Sequence, residues 1–329
     1  MNHFPKLASV LLRAFALSFC LVSPQVFSAE PIYPIRSITL IVPYGAGSST
    51  DILARVISKE MATDLGQSII VENKAGAGGT IGSASVARAV PDGYTLVMGT
   101  ISSHSINESM MKSVPYRVLR DFTPISLVAY FPNLLAVNND LPVNNLTELI
   151  ALAKAKPGLS FATGGIASSG QLAGELFMLR TGTKLNHLPY KEVGQAMTDV
   201  IANHVPIIIY QVPALVSQIK ANKLKALAVL APVRTALLPD LPTPGEQGIA
   251  DFDATAWMGL FGPAKLPEGV SATLQRSLAK VSARPDVVQQ LARQGFTLAA
   301  GTSEQFRQFL VQDIAKWAAV IKETGATID

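Results

Sequence analysis

Ile38-Thr39-Leu40-Ile41-Val42-Pro43-Tyr44-Gly45-Ala46-Gly47-Ser48-Ser49-Thr50-Asp51 is the stretch on which the fold turns. Five residues of apolar strand run into a turn with two glycines, and a helical pattern follows from Ile52 to about Leu65. Glycine lets a backbone turn sharply and approach a ligand closely. Ser48, Ser49, Thr50 and Asp51 are all of N-cap type. A strand, a tight turn and a helix start leave several N–H groups aimed at one spot. The positive end of the helix dipole lies there too, so the spot suits a phosphate or a carboxylate.

The design recurs. Leu159–Thr163 reads as a strand, Gly164-Gly165-Ile166-Ala167-Ser168-Ser169-Gly170 as the turn, and Gln171 to about Leu179 as the helix. Two such turns in two α/β halves can face each other across a cleft and hold an anion. For either turn alone, an ordinary Gly/Ser-rich connection between strand and helix would look the same.

Between and beyond them, short apolar runs alternate with helical patterns. Strands are expected at 37–42, 68–72 and 94–98, with helices at 50–65 and 80–89. Such alternation predicts a parallel sheet. The proline-punctuated segment 120–132 reads as a crossing to a second lobe with strands at 134–137, 159–163, 185–188, 206–210 and 225–230. Pro239, Pro242 and Pro244, with Gly245 and Gly248, mark the return. A strand at 254–261 and helices at 271–283, 285–294 and 303–324 close the first lobe. The lobes are thus expected at 29–127 with 250–329, and at 128–249. Ala75-Gly76-Ala77-Gly78-Gly79 is expected to be structural, letting its helix pack closely, and Gly99 to His104 forms another polar cluster at a strand end, including Ser102.

Residues 1–28 have the pattern of a secretory signal peptide. Lys6 and Arg13 are its charges, two apolar runs follow, and Val26-Phe27-Ser28 places cleavage before Ala29. The one cysteine, Cys20, follows Phe19 where a lipoprotein signal would want a small residue. Past this segment there is no thiol for a disulfide, a metal or a nucleophile. Removing Lys6 and Arg13 leaves 25 basic residues against 23 acidic ones, scattered along the chain, so nucleic-acid binding is not expected. Charged residues are only 15%, which leaves enough apolar sequence for large buried sheets.

Catalytic and cofactor patterns are incomplete. Gly45-Ala46-Gly47 starts a dinucleotide fingerprint, but Thr50 stands where its third glycine belongs. No Gly-Lys-Ser/Thr follows, and no Gly-x-Ser-x-Gly elbow occurs. His104, His187 and His204 lack metal-ligand spacing, though His104 and His187 could border a cleft. An exported hydrolase or isomerase would have to use Asp51, Asp199 or His104. The preferred reading is a receptor for a small organic acid, monomeric, without metal or cofactor. A liganded receptor could feed a transporter or signal to a membrane sensor.

The order of motifs resembles a known family. Tyr33-Pro34, Ile41-Val42-Pro43-Tyr44 through Thr50-Asp51, Glu72-Asn73-Lys74-Ala75-Gly76-Ala77-Gly78-Gly79 and Pro91-Asp92-Gly93-Tyr94-Thr95-Leu96 carry the first half of it. Phe122-Thr123-Pro124, Ser169 to Glu175, Pro189-Tyr190-Lys191, Ala196 to Asp199, and Trp257 with Gly259 and Pro263 carry the second. The chain resembles the extracytoplasmic solute-binding proteins of tripartite tricarboxylate transporters, the Bug (TctC-like) family. The resemblance implies a periplasmic receptor of the type II-like, Venus-flytrap α/β fold, each lobe a mostly parallel sheet flanked by helices. It also implies membrane transporter subunits as partners, and a ligand carboxylate held largely by backbone N–H groups of the two loops. On that reading Tyr44, Gly45, Gly47, Ser48, Ser49, Thr50, Asp51 and Ser102 bind from one side. Gly165, Ile166, Ser168, Ser169, Tyr190, Asp199 and Gln211 bind from the other. Departures include Ser48-Ser49 after Gly47, Gln171 for a common histidine, Glu192 for a glycine, and Pro206 and Tyr210 where many members have aspartates. If position 210 lines the pocket, its loss of charge favours a ligand without an amino group.

Overall fold

A computed structural model describes residues 33–326. The expected signal segment and its cleavage point before Ala29 lie outside the described residues.

Strand β1 (Ile38–Val42) sits inside a six-stranded sheet between β2 (Ile69–Asn73) and β3 (Thr95–Thr100), parallel to both. Ile38, Leu40, Ile41 and Val42 are all buried, so both faces of β1 are covered, which is why the run does not alternate. Helix Ser49–Leu65 turns Leu53, Ala54, Ile57 and Met61 inward and stops at Gly66, whose φ of 67° is left-handed. The far side of the sheet is antiparallel. β4 (Phe122–Phe131), β10 (Ala256–Pro263) and β11 (Thr297–Leu298) complete the order β11-β4-β10-β3-β1-β2.

The second sheet contains β5 (Asn133–Val137), β6 (Ser160–Thr163), β7 (Asn186–Pro189), β8 (Ile207–Gln211) and β9 (Lys225–Val229), in the order β7-β6-β8-β5-β9. β6 runs parallel to β7 and β8, while β5 runs antiparallel to β8 and β9. Both sheets are therefore mixed, not mostly parallel. The strands that run against the others are β10 and β11 in the first sheet and β5 in the second, and β5 and β10 are the strands that follow the two crossings.

The segment expected as a crossing is mainly β4, ten residues long and in the middle of the sheet. Proline cannot donate to a ladder, so Pro124 argued against a strand. In the fold it pairs with Phe261, beside a register shift between Leu260 and Phe261, where a missing N–H is tolerated. The crossing itself narrows to Pro132, between Phe131 and Asn133. Asn133 is fully buried. Its Nδ2 donates to the Ala254 carbonyl at 2.8 Å, and its own carbonyl receives the Leu230 N–H at 2.8 Å. One side chain thus ties the outgoing crossing to the returning one.

The closing helix Ser303–Thr324 begins with a capping box made by Thr302 and Gln305 and buries Phe306, Leu310, Asp313, Trp317 and Ile321. It packs on β4 and also on helix Ser169–Thr181 of the other sheet.

Candidate functional site

A cleft of about 690 Å³ lies where the two Gly/Ser turns meet. Tyr44, Ser48, Ser49 and Thr50 line one side with Thr100, Ile101 and Ser102. Gly164 to Gly170, Pro189, Tyr190, Lys191, Tyr210 and Gln211 line the other, and Phe131 and Met258 add apolar surface.

The two turns are built alike. Ser48 is extended (φ −66°, ψ 158°) and its Oγ accepts the Asp51 N–H at 3.3 Å. The Ile52 N–H reaches the Ser48 carbonyl at 2.9 Å. Ser49 and Thr50 open the helix, so their N–H groups have no partner inside it. Ser168 repeats the arrangement at φ −80°, ψ 156°, its Oγ accepting the Gln171 N–H at 3.2 Å and leaving the N–H groups of Ser169 and Gly170. Two helix N-termini thus present first-turn amides to one cleft. Gly170 has to be glycine, because a Cβ there would come within 2.3 Å of the Ile209 carbonyl oxygen. Gly164 is pinned likewise against the Tyr210 ring, also at 2.3 Å.

Most serine hydroxyls around the cleft are already engaged. Ser48 and Ser168 cap their helices, and Ser169 Oγ donates to Asn133 Oδ1 at 3.2 Å. Among the described residues, the first-turn amides are not spent in this way, nor is the Ser49 hydroxyl.

Gly45, Gly47, Asp51 and Asp199 do not line the cleft; they brace it from behind. Asp51 Oδ2 accepts the Gly47 N–H at 2.9 Å and Arg55 Nε at 3.0 Å, while Oδ1 takes Asn73 Nδ2 at 3.0 Å and pairs with Arg55 at 2.9 Å. Asn73 Nδ2 also reaches the Tyr44 carbonyl at 3.0 Å. Burial raises the Asp51 pKa, but hydrogen bonds from Arg55, Gly47 and Asn73, with the Arg55 charge, outweigh it and leave it lowered. A lowered carboxyl pKa contributes stability above the unfolded value of about 3.9, and that stability is lost as the pH falls through the folded value. The gap in melting temperature between the parent and Asp51→Asn should therefore be widest near neutrality and shrink below about pH 4. A gap of constant size from pH 3 to 7 would show that the charge of Asp51 does not hold the loop.

Asp199 accepts the Tyr190 hydroxyl at 2.7 Å and Gln195 Nε2 at 2.8 Å. Burial and the Asp199 carboxylate push the Tyr190 pKa up to about 12, so its hydroxyl stays protonated and spent on Asp199. What Tyr190 offers the cleft is its ring. Tyr44 Oη meets Thr100 Oγ1 at 2.8 Å.

Neither His104 nor His187 borders the cleft. His104 is fully buried, stacked 4.2 Å from Phe261, and burial depresses its pKa to about 3. His187 contacts Thr163 Oγ1 at 2.6 Å, with its pKa lowered to about 4 by burial. Asp51, Asp199 and His104, the residues on which an exported hydrolase or isomerase would have to draw, already have partners, and none of them lines the cleft.

Several lining residues escaped the sequence reading. The turn Ala75 to Gly79, expected to be structural, faces the cleft; its five small residues were the available signal. Tyr210, left open between pocket and core, lines the cleft, whereas Pro206 does not. Phe131 and Met258 gave no local signal. Among the described residues Lys191 is the one charged residue of the lining, and it is exposed.

Residues 53–326 match TctC, described as the tripartite tricarboxylate transporter family receptor. Protein BugT of Bordetella pertussis is 38% identical over 298 residues, covering 90% of this chain and 91% of that one. Among solved structures, an R. palustris protein with adipate is 31% identical at a TM-score of 0.84, covering 89% of this chain and 98% of that one. MatC from Rhodopseudomonas palustris with bound malate is 30% identical at a TM-score of 0.80, covering 88% and 100%.

Proposed function

Since the chain belongs to the tripartite tricarboxylate transporter receptor family, we propose that it captures one small organic carboxylate in the cleft and hands it to that transporter's membrane subunits. The family is one of solute-binding receptors. The ligand is held unchanged, in the periplasm, by a monomer whose two lobes, joined through Pro132 and the return near Ala254, close on it.

One observation carries the reading. Among the described residues, the amides of Ser49 and Thr50, without partners, face the same cleft as those of Ser169 and Gly170, and no carboxylate lines it. Four N–H donors, two positive helix ends and Lys191 nearby suit an anion. An ammonium group would find no opposite charge. Adipate and malate in the structural relatives fit this preference.

A thermal-shift screen of organic acids is the direct test. A ligand that binds only the folded protein adds roughly 2.7 kcal/mol at about a hundred times its Kd, so the right acid should raise the melting temperature clearly. Mass spectrometry of the released ligand should return it unaltered. A converted product would replace the receptor with an enzyme, and amines stabilising where acids do not would reverse the charge assignment.

A further inference from the structure

We propose that Gln211 is the specificity-determining residue of the cleft, its side-chain amide receiving a hydroxyl carried by the bound carboxylate. This rests on the carboxylate-receptor reading and narrows it to hydroxy acids.

Gln211 ends β8 and lines the cleft, yet its side chain makes no hydrogen bond among the described residues, and Oε1 is buried without a partner. The ordinary uses of a glutamine here are absent. It precedes helix Val212–Lys220 as the N-cap residue but makes no side-chain cap bond. Its partner across the ladder, Asn133, is occupied by Ser169 and Ala254. A buried acceptor left unpaired costs on the order of 1–3 kcal/mol, so one persists where something else supplies the donor.

The chemistry of that donor follows by elimination. An ionised carboxylate has acceptors only and can satisfy the NH₂ end of an amide but not its oxygen. An ammonium would need a countercharge, and among the described residues no carboxylate lines the cleft: Asp51 and Asp199 lie behind it with their own donors, and Glu192, whose charge is felt at Tyr210, stands outside the lining. A hydroxyl donates and accepts at once, so it can pair with the amide in either orientation. A site built to bond a hydroxyl rejects the analogue that lacks it, because the buried amide is then left unpaired.

Calorimetric titration with matched pairs tests this: propionate and lactate, succinate and malate, tricarballylate and citrate. In whichever pair binds, the hydroxy acid should bind about tenfold tighter, equivalent to one neutral hydrogen bond. Gln211→Met, of similar shape, should bring the two members within about twofold by weakening only the hydroxy acid. Gln211→Glu keeps an acceptor in the same place, so it should weaken both members by charge repulsion yet retain the preference. Melting curves of the apo variants separate these effects from misfolding. A parent protein that binds both members equally, a preference surviving in Gln211→Met, or one lost in Gln211→Glu would each overturn the proposal. If no pair binds while the organic-acid screen yields a ligand without a hydroxyl, this proposal falls and the carboxylate reading stands; if the screen yields no acid either, both fall.

Discussion

Ser49→Pro should lower carboxylate affinity about ten- to a hundred-fold while leaving the apo protein's melting temperature almost unchanged. The substitution deletes one N–H and little else. Ser49 is the first residue of its helix, a position where proline's fixed φ and missing N–H are both tolerated. A residue before proline is pushed into extended conformations, and Ser48 already has φ −66° and ψ 158°. What disappears is a charge-assisted hydrogen bond worth roughly 1.5–3 kcal/mol. Ser49→Ala, which keeps the N–H, should cost no more than about 1 kcal/mol. Ser169→Pro should lower affinity similarly from the opposite side, since Ser168 is extended as well. It also removes the hydroxyl that bonds Asn133 and so should lower the apo melting temperature. Its alanine counterpart is a poorer control because the Ser169 hydroxyl bonds buried Asn133. Titration of these variants with the acid identified by screening decides the matter. Equal losses in Ser49→Ala and Ser49→Pro would move recognition from the backbone to the hydroxyl.

Asn133→Ala should destabilise the protein by about 2–5 kcal/mol, the most damaging single change expected outside the apolar core. Truncation leaves the Ala254 carbonyl without its donor and the Ser169 hydroxyl without its acceptor, both in buried residues. Each orphaned group costs on the order of 1–3 kcal/mol, and the space left by the amide adds to this. The residue also couples fold to site, since Ser169 is the first residue of the helix whose amides face the cleft. Affinity should therefore fall along with stability. Denaturant unfolding of the apo protein measures the first effect and titration the second. A stability loss below about 1 kcal/mol would mean that the crossings are held by their backbone bonds alone.

The two loops were legible because their chemistry is local. Glycine for the turn, serine for the cap and an apolar helix face all lie within a dozen or so residues, and Ser48 and Ser168 took the roles their side chains suit. Asp51 and Asp199 misled for the same reason. An acid beside a candidate site reads as part of it, and only the fold places Asn73 on Asp51, or Tyr190 on Asp199, behind the cleft. Strand direction was less legible. β10 lies between β3 and β4 after a return of more than a hundred residues, and nothing local encodes that pairing. Pro124 concealed β4 because a register shift, visible only in the partner strand, removes the need for its N–H. Phe131 and Met258 reach the cleft through those long-range pairings.

An amide belongs to every residue except proline, so mutation can alter almost any side chain at half-buried position 49 without abolishing the carboxylate grip. The opposite holds at positions 191 and 211, where an exposed lysine and an unbonded amide contribute nothing that folding depends on. Heritable change is therefore channelled: one end of the cleft is buffered against drift, while the other can be rewritten a residue at a time. A lineage carrying this scaffold can exchange one nutrient acid for another without passing through an unfolded ancestor.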